Sequence, residues 1–117
     1  MESAPRVGPE SNAAALGAGG VAVFGTPMMI ALCEIAAWWA VAESVEECYV
    51  TVGTLVNVRH LGATPLGQQV RATAELIEVD GRRLVFKVAA YDEQKQIGEG
   101  THERFIGQWQ RVFETLQ

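Results

Sequence analysis

The alternation of apolar and polar positions divides the chain into two parts with different periods. Residues 26–42, TPMMIALCEIAAWWAVA, are apolar or small from Pro27 onward except at Glu34, with no period of two. This predicts a helix: Thr26 is placed to cap free backbone N–H groups, Pro27 sits at the first helical position where its missing N–H costs nothing, and Ala and Met favour continuation. A helix apolar on every side has to be covered by protein on every side. Its length, and the carboxylate at its centre, argue against a membrane span.

From Tyr49 the period becomes two. In YVTVGTLVNVRH, Val52, Thr54, Val56, Val58 and His60 share one face of a strand and Gly53, Leu55, Asn57 and Arg59 the other. A second strand is predicted over residues 69–79, followed by a hairpin signal at Asp80-Gly81. A third, RRLVFKVAAYD, alternates Leu84, Phe86, Val88 and Ala90 with Val85, Lys87, Ala89 and Tyr91. A polar turn at 93–95 leads to a last strand, IGEGTHERFIGQW, and RVFETLQ adds a short helical end. Residues 1–20, with Pro5, Pro9 and four glycines, are expected to be poorly ordered, and VAVF at 21–24 to be a short extended lead into the helix. The expectation is one α+β domain over residues 21–117, an antiparallel sheet curled around one long central helix. A second subunit would cover what four or five strands leave bare.

Charge and composition narrow the function. The net charge of −5 and pI near 4.9 argue against a nucleic-acid partner bound through phosphates. Residues 1–15 lack an apolar core behind a basic start, so a cytoplasmic location is expected. Cys33 and Cys48 have neither metal-ligand nor CxxC spacing, no phosphate loop or nucleophile elbow is present, and no metal is expected. Cys33, among apolar residues, reads as an inert thiol.

A few polar residues then stand out. Glu34, inside an apolar helix, needs a partner, a raised pKa or a chemical role. His60 closes an apolar row and is either a satisfied core histidine or a general acid or base. Gly53 inside a strand marks a bulge or a close approach of ligand to backbone. Thr26 at a helix start serves as a cap, and the same helix end favours a developing oxyanion. His102 and Arg104 share a strand face, whose simplest reading is a solvated edge.

Together, FGTPMMIALCEIAAW, TVGTLVNVRHLGATPLG and TAELIEVDGRRLVFKVAAYDEQKQIGEGTHERFI resemble the hotdog-fold thioesterases of the fluoroacetyl-CoA thioesterase type, over about residues 24–106. The resemblance implies a hotdog fold and a catalytic set of Thr26, Glu34 and His60. It also implies Gly53 lining the acyl site, with Phe24 and Arg104 as further substrate-binding residues. The implied activity is hydrolysis of a small acyl-CoA thioester with no cofactor beyond the coenzyme A of the substrate; separately, the chain is expected to self-associate as a homodimer or dimer of dimers and to bind neither nucleic acid nor membrane. Two features depart from the family pattern. The chain begins too late to supply the family's first strand, and the short GAGGVAV with Phe24 stands where the fluoroacetyl-specific enzyme has a longer, Phe-bearing lid. Strict selectivity for a fluorinated substrate is therefore not implied. The alternatives are a hotdog hydratase, whose Asp–His loop motif is missing here, and a non-catalytic acyl-CoA or small-molecule binding module.

Arg59, Arg71, Arg82 and Arg83 are the candidates for the coenzyme A phosphates. Thr26 and Glu34 lie roughly 12 Å apart along a regular helix, so the site is expected to be assembled across a two-fold interface or bridged by substrate.

Overall fold

A computed structural model describes residues 2–3 and 24–111. The apolar segment forms one helix, α1 (Thr26–Val41), continued by a single 3-10 turn, Ala42–Ser44. The sheet has a two-residue strand β1 (Glu2–Ser3) and four long strands, β2 (Tyr49–His60), β3 (Arg71–Asp80), β4 (Arg83–Tyr91) and β5 (Gln96–Gln108). All neighbours are antiparallel in the order β1-β3-β4-β5-β2. Helix α1 touches every strand, β3 most extensively, so the sheet wraps around it as expected of the hotdog fold.

Several expectations are corrected. A first strand exists: Glu2 pairs with Thr73 and Ser3 with Ala72. The rest of the segment expected to be poorly ordered, and Val21–Val23 of the extended lead, lie outside the described residues, as do residues 112–117 of the helical tail. The β3–β4 hairpin loop is Gly81–Arg82, one residue later than the Asp80-Gly81 signal, because Asp80 already pairs with Arg83. Thr26 is not the helix cap. Gly25 holds that position, its carbonyl accepting from the Met28 and Met29 amides, and no side chain caps the helix.

The helix is apolar all round, yet its own chain buries one stripe, Met29, Leu32, Cys33, Ala36, Ala37 and Val41, at the three- and four-residue spacing that defines a single face. Against it pack Phe24, Val70, Ala72, Leu84, Phe86, Val88, Ala90 and Ile97. Of the two alternating rows of β4, the one formed by Leu84, Phe86, Val88 and Ala90 is entirely within this core. Ile35, Trp38 and Trp39 on the opposite face are 44%, 42% and 49% exposed. Among the described residues, no helix is long and apolar enough to cross a membrane.

The expected alternation along β2 fails at its centre. The register against β5 shifts between Gly53 and Leu55, so Thr54 is an inserted residue and the strand changes the face it presents.

Candidate active site

Two groups of polar side chains meet the helix along β2. At the start of α1 the Thr26 hydroxyl lies 2.7 Å from His60 Nδ1, so the last residue of β2 is tied to the first residue of the helix. The other imidazole nitrogen, Nε2, is buried with no hydrogen-bond partner among the described residues. Burial pushes the His60 pKa below its ordinary value, with the Gly62 backbone acting in the opposite sense. Neutral imidazole is therefore favoured near pH 7, the form that can take up a proton.

Two turns further along the helix, half-buried Glu34 reaches the bulge in β2. A Cβ placed on Gly53 would lie 3.2 Å from Glu34 Oε2, 3.1 Å from His102 Cε1 and 3.5 Å from Arg104 Nη1. The absence of a side chain at Gly53 is thus what lets a carboxylate, an imidazole and a guanidinium converge on this piece of backbone.

The basic side of this group is built on β5. Arg104 donates from Nε to Thr51 Oγ1 at 2.9 Å and from Nη2 to the Thr51 carbonyl at 2.9 Å, while Nη1 lies 3.2 Å from His102 Nε2. His102 Nδ1 is 2.8 Å from the Leu55 carbonyl just past the bulge. A carbonyl only accepts, so Nδ1 carries the proton and Nε2 accepts from Arg104. Desolvation, reinforced by the Arg104 charge, holds His102 below its ordinary pKa against the opposing effects of the Leu55 bond and Glu34.

These placements revise the expectations residue by residue. Thr26 and His60 are joined directly, and Glu34, Gly53 and Arg104 meet eight residues along the helix. No hydrogen bond among the described residues links the two groups directly. Phe24 is a core side chain, 1% exposed, and its amide bonds the Thr64 carbonyl, so it is not placed as an exposed substrate contact. His102 and Arg104 are buried rather than a solvated edge, because β5 lies between β4 and β2. His102 was not singled out as a site residue. The available signal was its two-residue offset from Arg104 on a strand.

Burial raises the Cys33 thiol to about 11, with Glu34 adding to the effect, which matches the inert reading. Of the arginines considered for phosphate, Arg83 is engaged by Glu78 and Glu103, each at 2.7 Å. Arg71 and Arg82 lie over the rings of Tyr91 and Tyr49.

Comparison with known proteins fits this geometry. A family model described as fluoroacetyl-CoA-specific thioesterase (FlK) matches residues 7–110. The fluoroacetyl-CoA thioesterase of Streptantibioticus cattleyicolor is 45% identical over 84 residues, 72% of this chain. The chain spans 60% of the length of that relative.

The solved structure of the fluoroacetyl-CoA thioesterase FlK aligns with a TM-score of 0.93 at 34% identity, covering 99% of this chain and 90% of the other. Its F36A mutant, solved with fluoroacetate and CoA, aligns at 0.92 and 34%, covering 99% and 95%. A hot-dog-like protein of Thermanaerovibrio acidaminovorans shares the fold at 19% identity and a TM-score of 0.89, covering 99% and 86%. With its sheet wrapped on one helix and the family profile spanning nearly all of it, the chain belongs to the fluoroacetyl-CoA-specific thioesterase family and has the hotdog fold.

Proposed function

We propose that the protein hydrolyses a small acyl-CoA thioester at a site formed by Thr26, His60, Glu34, Gly53 and Arg104. The observation that carries this reading is the Thr26–His60 hydrogen bond at the helix start, set on the same side of β2 as the Glu34 carboxylate over Gly53. The family relationship supports the reaction class, as does the CoA bound in the FlK mutant structure.

Hydrolysis breaks the C–S bond and adds water across it. Backbone N–H groups, with Gly53 as a candidate, stabilise the developing oxyanion. Glu34 either removes the proton of the attacking water or attacks the carbonyl itself to form a transient anhydride. His60 transfers the proton between water and the leaving sulfur, and Thr26 orients His60. Arg104 holds positive charge beside Glu34.

The active form is a homodimer, or a dimer of dimers. Strand β2 is a 12-residue edge of the sheet; Leu55 and Val56 on it are exposed, as are Ile35, Trp38 and Trp39 of the helix. A long open edge with apolar neighbours favours pairing with another copy. Two-fold closure would give two equivalent sites and bring a second set of side chains to the gap between Thr26 and Glu34.

The test is release of free thiol from a panel of acyl-CoAs, together with light scattering at micromolar concentration. Turnover by a dimer is expected. Hydration of an enoyl-CoA, or thermal stabilisation by CoA without turnover, would replace the thioesterase reading, and full activity in a strict monomer would remove the dimer.

A further inference from the structure

Asp92 is a buried carboxylate that the proposed reaction does not use. It follows β4, and its side chain is fully enclosed. Burial would raise its pKa, but four hydrogen bonds overcome that and hold the carboxyl well below the usual range. Oδ1 accepts from the backbone amides of Gln94 and Lys95, both at 2.8 Å, a local cap of the β4–β5 turn. Oδ2 accepts from Thr64 Oγ1 at 2.8 Å and from Lys95 Nζ at 2.9 Å. A turn cap needs only the first pair. The second reaches into the 61–70 segment that joins β2 to β3.

That segment holds both ends of the Thr26–His60 contact. It begins directly after His60, where the Leu61 amide donates to the Ile97 carbonyl at 2.7 Å. Lys95 Nζ also donates to the Ala63 carbonyl at 2.8 Å, and its stem crosses Gly62 so closely that a Cβ there would lie 2.9 Å from Lys95 Cε. The neighbouring Thr64 presents its hydroxyl to Asp92, while its carbonyl accepts from the Phe24 amide at 2.9 Å. Phe24 lies two residues before Thr26. One carboxylate therefore reaches Thr26 through Thr64 and Phe24, and reaches His60 through Lys95, Ala63 and Gly62.

We propose that Asp92 is a positioning residue: through Thr64 and Lys95 it fixes the 61–70 segment so that the start of α1 and the end of β2 hold Thr26 against His60. This rests on the reading of that pair as a working part of the site. The dependence is geometric, and displacement of a positioned group by about 1 Å is enough to cost on the order of 100-fold in rate.

The test uses Thr64→Val, which keeps the shape and removes the hydroxyl, with Thr64→Ser as the conservative rescue and Lys95→Met and Asp92→Asn alongside, all in the full chain. Each variant is checked for cooperative unfolding. Two quantities are read: the titration of His60 followed by the NMR signal of its Cε1–H, and kcat and KM for an acyl-CoA. The chain has two histidines, so the His102 signal serves as an internal control.

In Thr64→Val the His60 titration is expected to move up toward the ordinary imidazole value, with kcat lower by about tenfold, KM little changed and His102 unmoved. Thr64→Ser is expected to restore both. If Asp92→Asn does not fold, Thr64→Val and Lys95→Met still decide. Folded Thr64→Val and Lys95→Met proteins with the parent's His60 titration would overturn the proposal, whatever their turnover. A shifted titration in a protein that turns over no thioester would uphold the positioning role and defeat the thioesterase reading.

Discussion

Gly53 and His60 stand an odd number of residues apart on β2, yet both face helix α1, Gly53 toward Glu34 and His60 toward Thr26. In a regular strand an odd spacing places two residues on opposite faces. The extra residue at Thr54, marked by the register shift between Gly53 and Leu55, reverses the parity and brings both to the inside. The bulge thus turns both groups toward the helix.

Filling the gap at Gly53 should damage the site more than the fold. In Gly53→Ala the new methyl would meet His102 Cε1 at 3.1 Å and Glu34 Oε2 at 3.2 Å. His102 is held by the Leu55 carbonyl and by Arg104, so Glu34 has to give way. We expect destabilisation of about 1–3 kcal/mol and a loss of thioester turnover of about tenfold or more. Thermal unfolding and steady-state kinetics on the purified variant check both.

Arg104 should be irreplaceable by lysine. Its planar head serves Thr51 Oγ1, the Thr51 carbonyl and His102 Nε2 at once, and a lysine ammonium does not reproduce that fork. Urea unfolding of Arg104→Met should show a loss of about 1–3 kcal/mol, the cost of leaving buried acceptors without their donor. Arg104→Lys should recover only part of it. Equal stability of Arg104→Lys and the parent would contradict the assignment.

The acidic limb of kcat/KM should lie below the ordinary imidazole value of 6.5. Burial lowers the His60 pKa, so its neutral form persists further into acid than in a free histidine. The same sign applies to stability. What His60 contributes is present above its unfolded pKa and is lost as pH falls through the depressed folded value. A limb above 6.5 would mean that another group controls turnover.

Much of the fold was legible because it rests on local patterns. The inward row Leu84, Phe86, Val88 and Ala90 of β4 is buried as its alternation requires, and the uniformly apolar helix occupies the centre of the sheet. Gly53 could be flagged as a bulge from its place in a strand, but not the resulting change of parity, which depends on pairing with β5. The burial of His102 and Arg104 was hidden for a related reason: strand order, not local sequence, makes β5 an interior strand. Thr26 looked like a cap because residue type alone does not reveal that its hydroxyl is taken by His60.

Acid should weaken the fold through Asp92. Its folded pKa is depressed, so the stability it contributes is complete above about pH 4, the ordinary carboxylate value, and is lost as pH falls through the folded value. Urea unfolding as a function of pH should show this limb in the parent and a flatter one in Asp92→Asn. Parallel curves for the two proteins would contradict the assignment.

In the proposed reaction it is Glu34, over the Gly53 backbone, that drives thioester hydrolysis. The most direct measurement is release of free thiol from short, long and aromatic acyl-CoAs by the parent and by Glu34→Gln. Turnover by the parent should fall by at least about 100-fold in a folded Glu34→Gln protein. Turnover indifferent to that substitution, or none in the parent over the whole panel, would contradict it.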